Sequence, residues 1–212
     1  MVKNVRLALA ERPLFADVSF RVEPGERLAI MGPSGAGKSS LLAYVGGHLL
    51  SAFSASGRVI LNRRDVTRLP PERRRIGLMF QDDLLFPHFS VGANLAFGLD
   101  AAVRGRAARR ARVAEALAEA GLAGFESRDP ATLSGGQRQR VALMRSLLAA
   151  PEALLLDEPF SKLDAEMRAD MRRFVFEHTA RRGLPVVLVT HDPADAEAAG
   201  GRVLTLVGAE RP

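Results

Sequence analysis

The chain has no cysteine and no tryptophan, a single tyrosine, and only three lysines, Lys3, Lys38 and Lys162. Without cysteine, disulfides and thiolate metal sites are excluded, and nothing points to an oxidising compartment. No apolar run approaches the ~20 residues that a membrane-crossing helix needs, and residues 1–5 lack the apolar segment of a secretory signal. No basic stretch carries interleaved aromatics on which bases would stack. The net charge of +6, almost all of it arginine, therefore reads as a solvated basic surface rather than a nucleic-acid site. These absences lead to the expectation of a soluble, cytoplasmic chain that reaches a membrane only through a partner.

What remains is a 212-residue chain, 47% hydrophobic, long enough for one large domain or a core with a subdomain. Apolar alternation and short apolar runs predict strands over 2–9, 15–22, 27–31, 57–62, 76–80, 153–157, 185–190 and 202–207. Residues 82–150 carry few strand signals. Ser90 is placed to cap a helix through Phe97, and Val113, Leu117 and Ala120 recur at helical spacing over 106–120. Another helix is expected over 163–182. Strands alternating with helices at both ends argue for a mainly parallel sheet, with the helical middle inserted between its halves.

Two Gly-rich turns carry the chemistry. Gly32-Pro33-Ser34-Gly35-Ala36-Gly37-Lys38-Ser39-Ser40 follows a strand and opens a helix, in the G-x-x-x-x-G-K-[ST] pattern of a phosphate-binding loop. Glycines let backbone N–H groups face phosphates. Lys38 can reach the β- and γ-phosphates, and the Ser39 hydroxyl can ligate Mg²⁺. The apolar run Ala153-Leu154-Leu155-Leu156 ends in Asp157 and Glu158, so a buried strand delivers two carboxylates to the sheet's carboxyl edge. Asp157 is expected to hold Mg²⁺ and Glu158 to polarise the attacking water. The second turn, Leu133-Ser134-Gly135-Gly136-Gln137, is followed by Arg138 and Arg140 and starts another helix, where anions bind.

LSGGQ, the phosphate loop and the acidic strand end together resemble the ABC (ATP-binding cassette) ATPases over essentially the whole chain. The resemblance implies an α/β fold: a P-loop NTPase (RecA-like) core over 1–81 and 152–212, with a mainly parallel sheet, an antiparallel β subdomain, and a helical subdomain over 82–151. It implies ATP and Mg²⁺ as cofactors and adds three roles. Gln81 occupies the place of the glutamine that contacts Mg²⁺ and the water region. His191 occupies that of the histidine that holds the γ-phosphate. Asp164, in Ser161-Lys162-Leu163-Asp164, falls in the segment that crosses to a partner subunit. Ser134, Gly135, Gly136 and Gln137 would bind the γ-phosphate held on the other subunit, so two copies pair head-to-tail as a homodimer around two ATP molecules. The Ser134 and Gly136 amides are expected to be idle in one copy alone.

Residues 81–95 and Asp157-Glu158-Pro159-Phe160-Ser161 are similar to the thiamine, spermidine and sulfate importer ATPases. That likeness implies a permease partner, indirectly a periplasmic substrate-binding protein, no nucleic acid, and a peripheral place on the cytoplasmic face of the inner membrane. An exporter subunit, or a soluble ABC ATPase acting on nucleic acid or ribosomes, are the alternatives. One departure concerns the base. The aromatic side chain that stacks on adenine in the family would fall near Leu9, where no Tyr or Trp stands, and loose nucleotide choice is expected.

Overall fold

The computed structural model describes residues 1–15 and 17–209. Along them run β1 (Val2–Leu9), β2 (Arg12–Pro13), β3 (Val18–Phe20), β4 (Arg27–Met31), α1 (Lys38–Gly46), β5 (Phe53–Leu61), β6 (Arg64–Asp65), α2 (Pro71–Arg74) and β7 (Ile76–Met79). There follow α3 (Val91–Phe97), α4 (Arg106–Glu119), α5 (Gly135–Leu148), β8 (Ala153–Asp157), α6 (Ala165–Arg181), β9 (Val186–Val189), α7 (Pro193–Ala198) and β10 (Val203–Thr205). They group into two compact units, one of Met1–Leu78, Glu152–Glu158 and Phe176–Pro212, the other of Met79–Pro151 and Pro159–Val175.

The first unit holds two sheets. One has the order β10-β4-β9-β8-β7, and its β10–β4, β4–β9 and β9–β8 pairings are parallel. Leu154 to Leu156 and Val186 to Val189 are all buried, the unbroken apolar run of strands covered on both faces. The other sheet is antiparallel, in the order β2-β1-β5-β6 with β3 also on β1. β1 buries Val2, Val5 and Leu7 and exposes Lys3, Asn4 and Arg6. The alternation slips at Asn4, whose φ of 48° accompanies a bulge against both neighbouring strands. Val5, Ile30, Leu41, Leu155, Val189 and Leu206 join the two sheets and α1 in one core. The α/β class, the parallel sheet and the antiparallel sheet agree with the expectation from sequence.

Three strand expectations are corrected. The strand expected over 15–22 is only Val18–Phe20. Ala10 and Glu11, at φ 46° and 68°, turn the chain so that Arg12–Pro13 pair back on Ala8 and Leu9, and Phe15 makes only a lone bridge to Gly208. Ala16, within that expected strand, lies outside the described residues, as do residues 210–212. The strand expected from Gly57 starts at Phe53, because residues 53–56 find partners on β1 from Leu9 to Arg6. The last strand is Val203–Thr205 rather than 202–207.

Arg74 is a buried organiser that its setting in Glu72-Arg73-Arg74-Arg75 disguises. Its Nε donates to Leu69 O at 2.8 Å, Nη1 to Tyr44 O and Val45 O at 2.8 and 2.9 Å, and Nη2 to Thr67 O at 2.5 Å. The guanidinium thus collects carbonyls from the last turn of α1, where a cation is favourable, and ties them to the loop after β6. Replacing it takes a bond from each of them, and among the described residues only Tyr44 O keeps another, from Gly47 N at 3.2 Å. Arg74→Leu is expected to lower unfolding free energy by about 3 kcal/mol, read from urea titrations, because several buried charge-assisted bonds go at once. A loss below about 1 kcal/mol would contradict this role.

In the second unit α3, α4 and α5 pack on one another. Val91 and Leu95, Val113 and Leu117, and Val141, Leu143, Met144 and Leu147 are buried. Ser90 caps α3 as expected, its Oγ accepting from Ala93 N at 3.1 Å. Gly98 ends that helix, and any Cβ there would collide with the Arg145 backbone carbonyl, so α3 and α5 meet closely.

Candidate active site

β4 ends at Met31 and α1 begins at Lys38, and the residues between form the phosphate loop. Gly37 precedes α1 at φ 86°, and a Cβ at that position would stand only 3.1 Å from the Phe15 ring and 3.2 Å from Leu14. Both the left-handed backbone and the close approach demand glycine. Lys38 is buried, and its Nζ donates to Gly32 O and Pro33 O, both at 2.9 Å. The lysine therefore folds back over the loop that precedes it.

Ser39 Oγ donates to Asp157 Oδ1 at 3.0 Å, linking the start of α1 to the end of β8. Burial pushes the Asp157 carboxyl above the usual aspartate range, and the neighbouring Glu158 charge pushes the same way, while the Ser39 hydrogen bond and Lys38 pull it back. A cation at this point would relieve both upward pressures. Serine hydroxyl and carboxylate oxygens are the hard donors Mg²⁺ takes. Among the described residues no three His, Cys, Asp or Glu side chains converge to hold a metal ion by themselves. An ion held by Ser39 and Asp157 would complete its shell with phosphate oxygens and water.

The chain turns sharply after Asp157. Glu158 lies at φ 47°, a strained conformation for a non-glycine residue, and its N–H donates to Val189 O at 2.9 Å. His191 follows β9 in a turn fixed by Thr190, whose Oγ1 donates to Asp195 Oδ2 at 2.7 Å and accepts from Asp192 N at 3.1 Å. This brings His191 Nδ1 within 3.3 Å of Glu158 Oε2. Ser34, Gly35, Gly37, Lys38, Ser39, Ser40, Glu158 and His191 line one cavity of about 540 Å³, closed by Leu9, Leu14 and Phe53. Its size suits a ligand of nucleotide dimensions. Cations, amides at a helix start, hard oxygen ligands and a carboxylate–imidazole pair can together bind a polyphosphate and activate water against it.

A family model described as ABC transporter matches residues 15–161. The chain belongs to the ABC transporter ATP-binding family. It is 51% identical over 197 residues to the uncharacterized ABC transporter ATP-binding protein YnjD of Escherichia coli K12, covering 93% of this chain and 90% of that one. It is 47% identical over 180 residues to the thiamine import ATP-binding protein ThiQ of Cereibacter sphaeroides, covering 85% and 77%. Among solved structures, the dimeric post-hydrolysis state of the ATP-binding cassette MJ0796 bound to ADP and Pi superposes with a TM-score of 0.80 at 32% identity, covering 97% of this chain and 93% of that one. This chain is an ABC ATPase, and ATP with Mg²⁺ are its cofactors.

The other ABC motif residues belong to the second unit, where Gln81 is exposed. Ser134 caps α5 in a reciprocal box: its Oγ accepts from Gln137 N at 3.3 Å, and its own N–H donates to Gln137 Oε1 at 2.9 Å. The expectation of an idle Ser134 amide is therefore corrected; the Gln137 side chain occupies it. S-x-x-Q spacing is the recognisable signal for such a box. Arg138 and Arg140 are also committed elsewhere. Arg138 pairs with Asp83 at 2.9 Å and donates to Leu133 O, while Arg140 donates to Ala120 O and lies over the Phe174 ring. Asp164 caps α6, its Oδ1 accepting from Met167 N at 2.9 Å. Lys162, in the same ABC segment, pairs with Asp82.

Sequence reasoning does not single out Asn94. It is fully buried; its Oδ1 accepts from Phe86 N at 2.8 Å and its Nδ2 donates to the carbonyls of Phe86, Phe89 and Ser90. Arg145 Nη1 donates to Leu84 O at 2.9 Å. Together they hold the segment after Gln81, in which Leu84 is exposed; Phe97, at the end of α3, is exposed as well, its ring centroid 4.8 Å from that of Phe86. Read along the chain, an isolated Asn and an Arg on a helix do not announce a loop clamp.

Proposed function

We propose that the chain is the ATP-hydrolysing subunit of a bacterial ABC importer, acting as a head-to-tail homodimer beneath a permease on the cytoplasmic face of the inner membrane. The observation that carries the chemistry is the single cavity joining Lys38, Ser39, Glu158 and His191. Residues 32–40 hold the phosphates, with Lys38 leaving its loop carbonyls for phosphate oxygens. Ser39 and Asp157 would hold Mg²⁺, which would supply charge neutralisation to the phosphates, and Gln81 takes its role toward the ion from its place in the order of ABC motifs. Glu158 orients the attacking water and accepts its proton as the γ-phosphorus–oxygen bond to ADP breaks. His191 steadies the γ-phosphate. Ser134, Gly135, Gly136, Gln137 and Asp164 serve the nucleotide on the partner subunit.

Import is supported by the relatives' names, which include thiamine and sulfate/thiosulfate import ATP-binding proteins. No helix among the described residues is long and apolar enough to cross a membrane. In this reading the permease is a separate chain, fed by a periplasmic substrate-binding protein. The exposed Leu84 and Phe97, with Phe86, Phe89 and His88 around them, form the apolar surface that a permease would cover. In vesicles carrying the permease encoded beside it, Phe97→Glu is expected to weaken docking roughly 30-fold, as loss of an interface hot spot does. Phosphate release by the ATPase alone should stay at its normal rate. Unchanged docking would remove this surface from the proposal.

A further inference from the structure

We propose that Phe53, backed by Leu9 and Leu14, is the platform on which the nucleobase lies, in place of the aromatic residue that is missing at Leu9. The inference rests on residues 32–40 holding the phosphates. The same cavity that contains Lys38 and Ser39 is walled by these three apolar side chains. Leu9 and Phe53 are direct partners in the antiparallel β1–β5 ladder, so their side chains leave the sheet on the same face. The two-residue turn at Ala10–Glu11 fixes Leu9 at the hairpin's end. Leu14 is held by its N–H to Leu7 O and its carbonyl from Ala209 N, both at 2.9 Å, beside Gly37 of the phosphate loop.

The polar side chains of the cavity all belong to its phosphate half: Ser34, Lys38, Ser39, Ser40, Glu158 and His191. Among the described lining residues, the side chains of the other half are the apolar Leu9, Leu14 and Phe53, and Leu9 is 41% exposed. A planar base would cover that surface and stack on the Phe53 ring. With no polar side chain among the described residues of that half, the site recognises a purine by area and does not read its hydrogen-bonding groups. A pocket that leaves those groups unread discriminates weakly between molecules that differ only there. The ligand class is therefore a purine nucleoside triphosphate, with ATP and GTP held alike and CTP less well.

The test is displacement of a fluorescent ATP analogue by ATP, GTP, CTP and inorganic tripolyphosphate. Phe53→Ala is expected to weaken ATP and GTP about tenfold, the scale of base–aromatic stacking, while tripolyphosphate binds as before. Tripolyphosphate binding also reports that the variant is folded. Leu9→Trp, at an exposed position, should tighten ATP and GTP together and leave tripolyphosphate unchanged. Lys38→Ala should weaken all four competitors. If Phe53→Ala keeps the parent's ATP affinity while Lys38→Ala loses it, the base platform is overturned and the phosphate site stands. If Lys38→Ala changes nothing, the phosphate site falls and this proposal with it. A parent that prefers ATP to GTP more than about a hundredfold also overturns the unread edge, since such discrimination requires hydrogen bonds to the base.

Discussion

Glu158→Gln should bind ATP normally and release phosphate at about a thousandth of the parent rate, within the range that a positioned general base contributes. The substitution preserves size and leaves the Glu158 N–H to Val189 O bond in place, so the left-handed turn at φ 47° keeps its anchor. Only the carboxylate charge facing His191 Nδ1 is removed. The water then lacks an acceptor for its proton. The expected second sign is an ATP-bound dimer that persists in size-exclusion chromatography with light scattering, because hydrolysis no longer reopens it. Phosphate release at the parent rate would show that Glu158 is not the base. Slow release without an accumulated dimer would instead separate hydrolysis from closure.

Ser134→Arg should also cut turnover steeply, by a different route. Ser134 is exposed, and its unit is not the one that contains Lys38. One copy of the variant should therefore hold ATP as the parent does, measured with a fluorescent analogue. The dimer should not close, and turnover should fall by about a hundredfold or more, the loss seen when a preorganised donor to a developing oxyanion is removed. Combining Ser134→Arg with Glu158→Gln sharpens the experiment: the trapped dimer of the single Glu158 variant should disappear. A dimer that still forms would mean the signature turn does not face a partner's phosphate.

Both predictions use residues that are readable from the chain, and the reason is local. Asp157 ends a short apolar strand, Glu158 and His191 follow one within two residues, and Lys38 and Ser39 open the helix after the loop that leaves another, so strand direction delivers them to one edge of the parallel sheet. The parallel sheet is legible for the same reason, as unbroken apolar runs. What escapes a reading of the chain depends on pairing between distant segments. Phe53 faces the cavity only because β1 and β5 pair in a register that matches it to Leu9. The reading along the chain starts that strand at Gly57, since Phe53-Ser54-Ala55-Ser56 alternates but holds a single large apolar residue among small ones. Arg74 escapes because an arginine among four charged residues reads as solvated, whereas its burial is set by the end of α1 and the loop after β6. Asn94 is a single polar residue on a helix, and its partners Phe86, Phe89 and Ser90 lie in a segment with no pattern of its own.

The reciprocal cap between Ser134 and Gln137 has a consequence for reversibility. The signature turn already has an occupant, and an arriving phosphate would exchange with the Gln137 carbonyl rather than fill an unsatisfied donor. The net gain at that amide is then only the excess of a charge-assisted bond over a neutral one, about 1 kcal/mol. When the anion departs, the glutamine returns and α5 keeps its first turn, so letting go carries almost no penalty of its own. A grip built this way favours quick release, which suits a subunit that must turn over repeatedly more than one that must hold on.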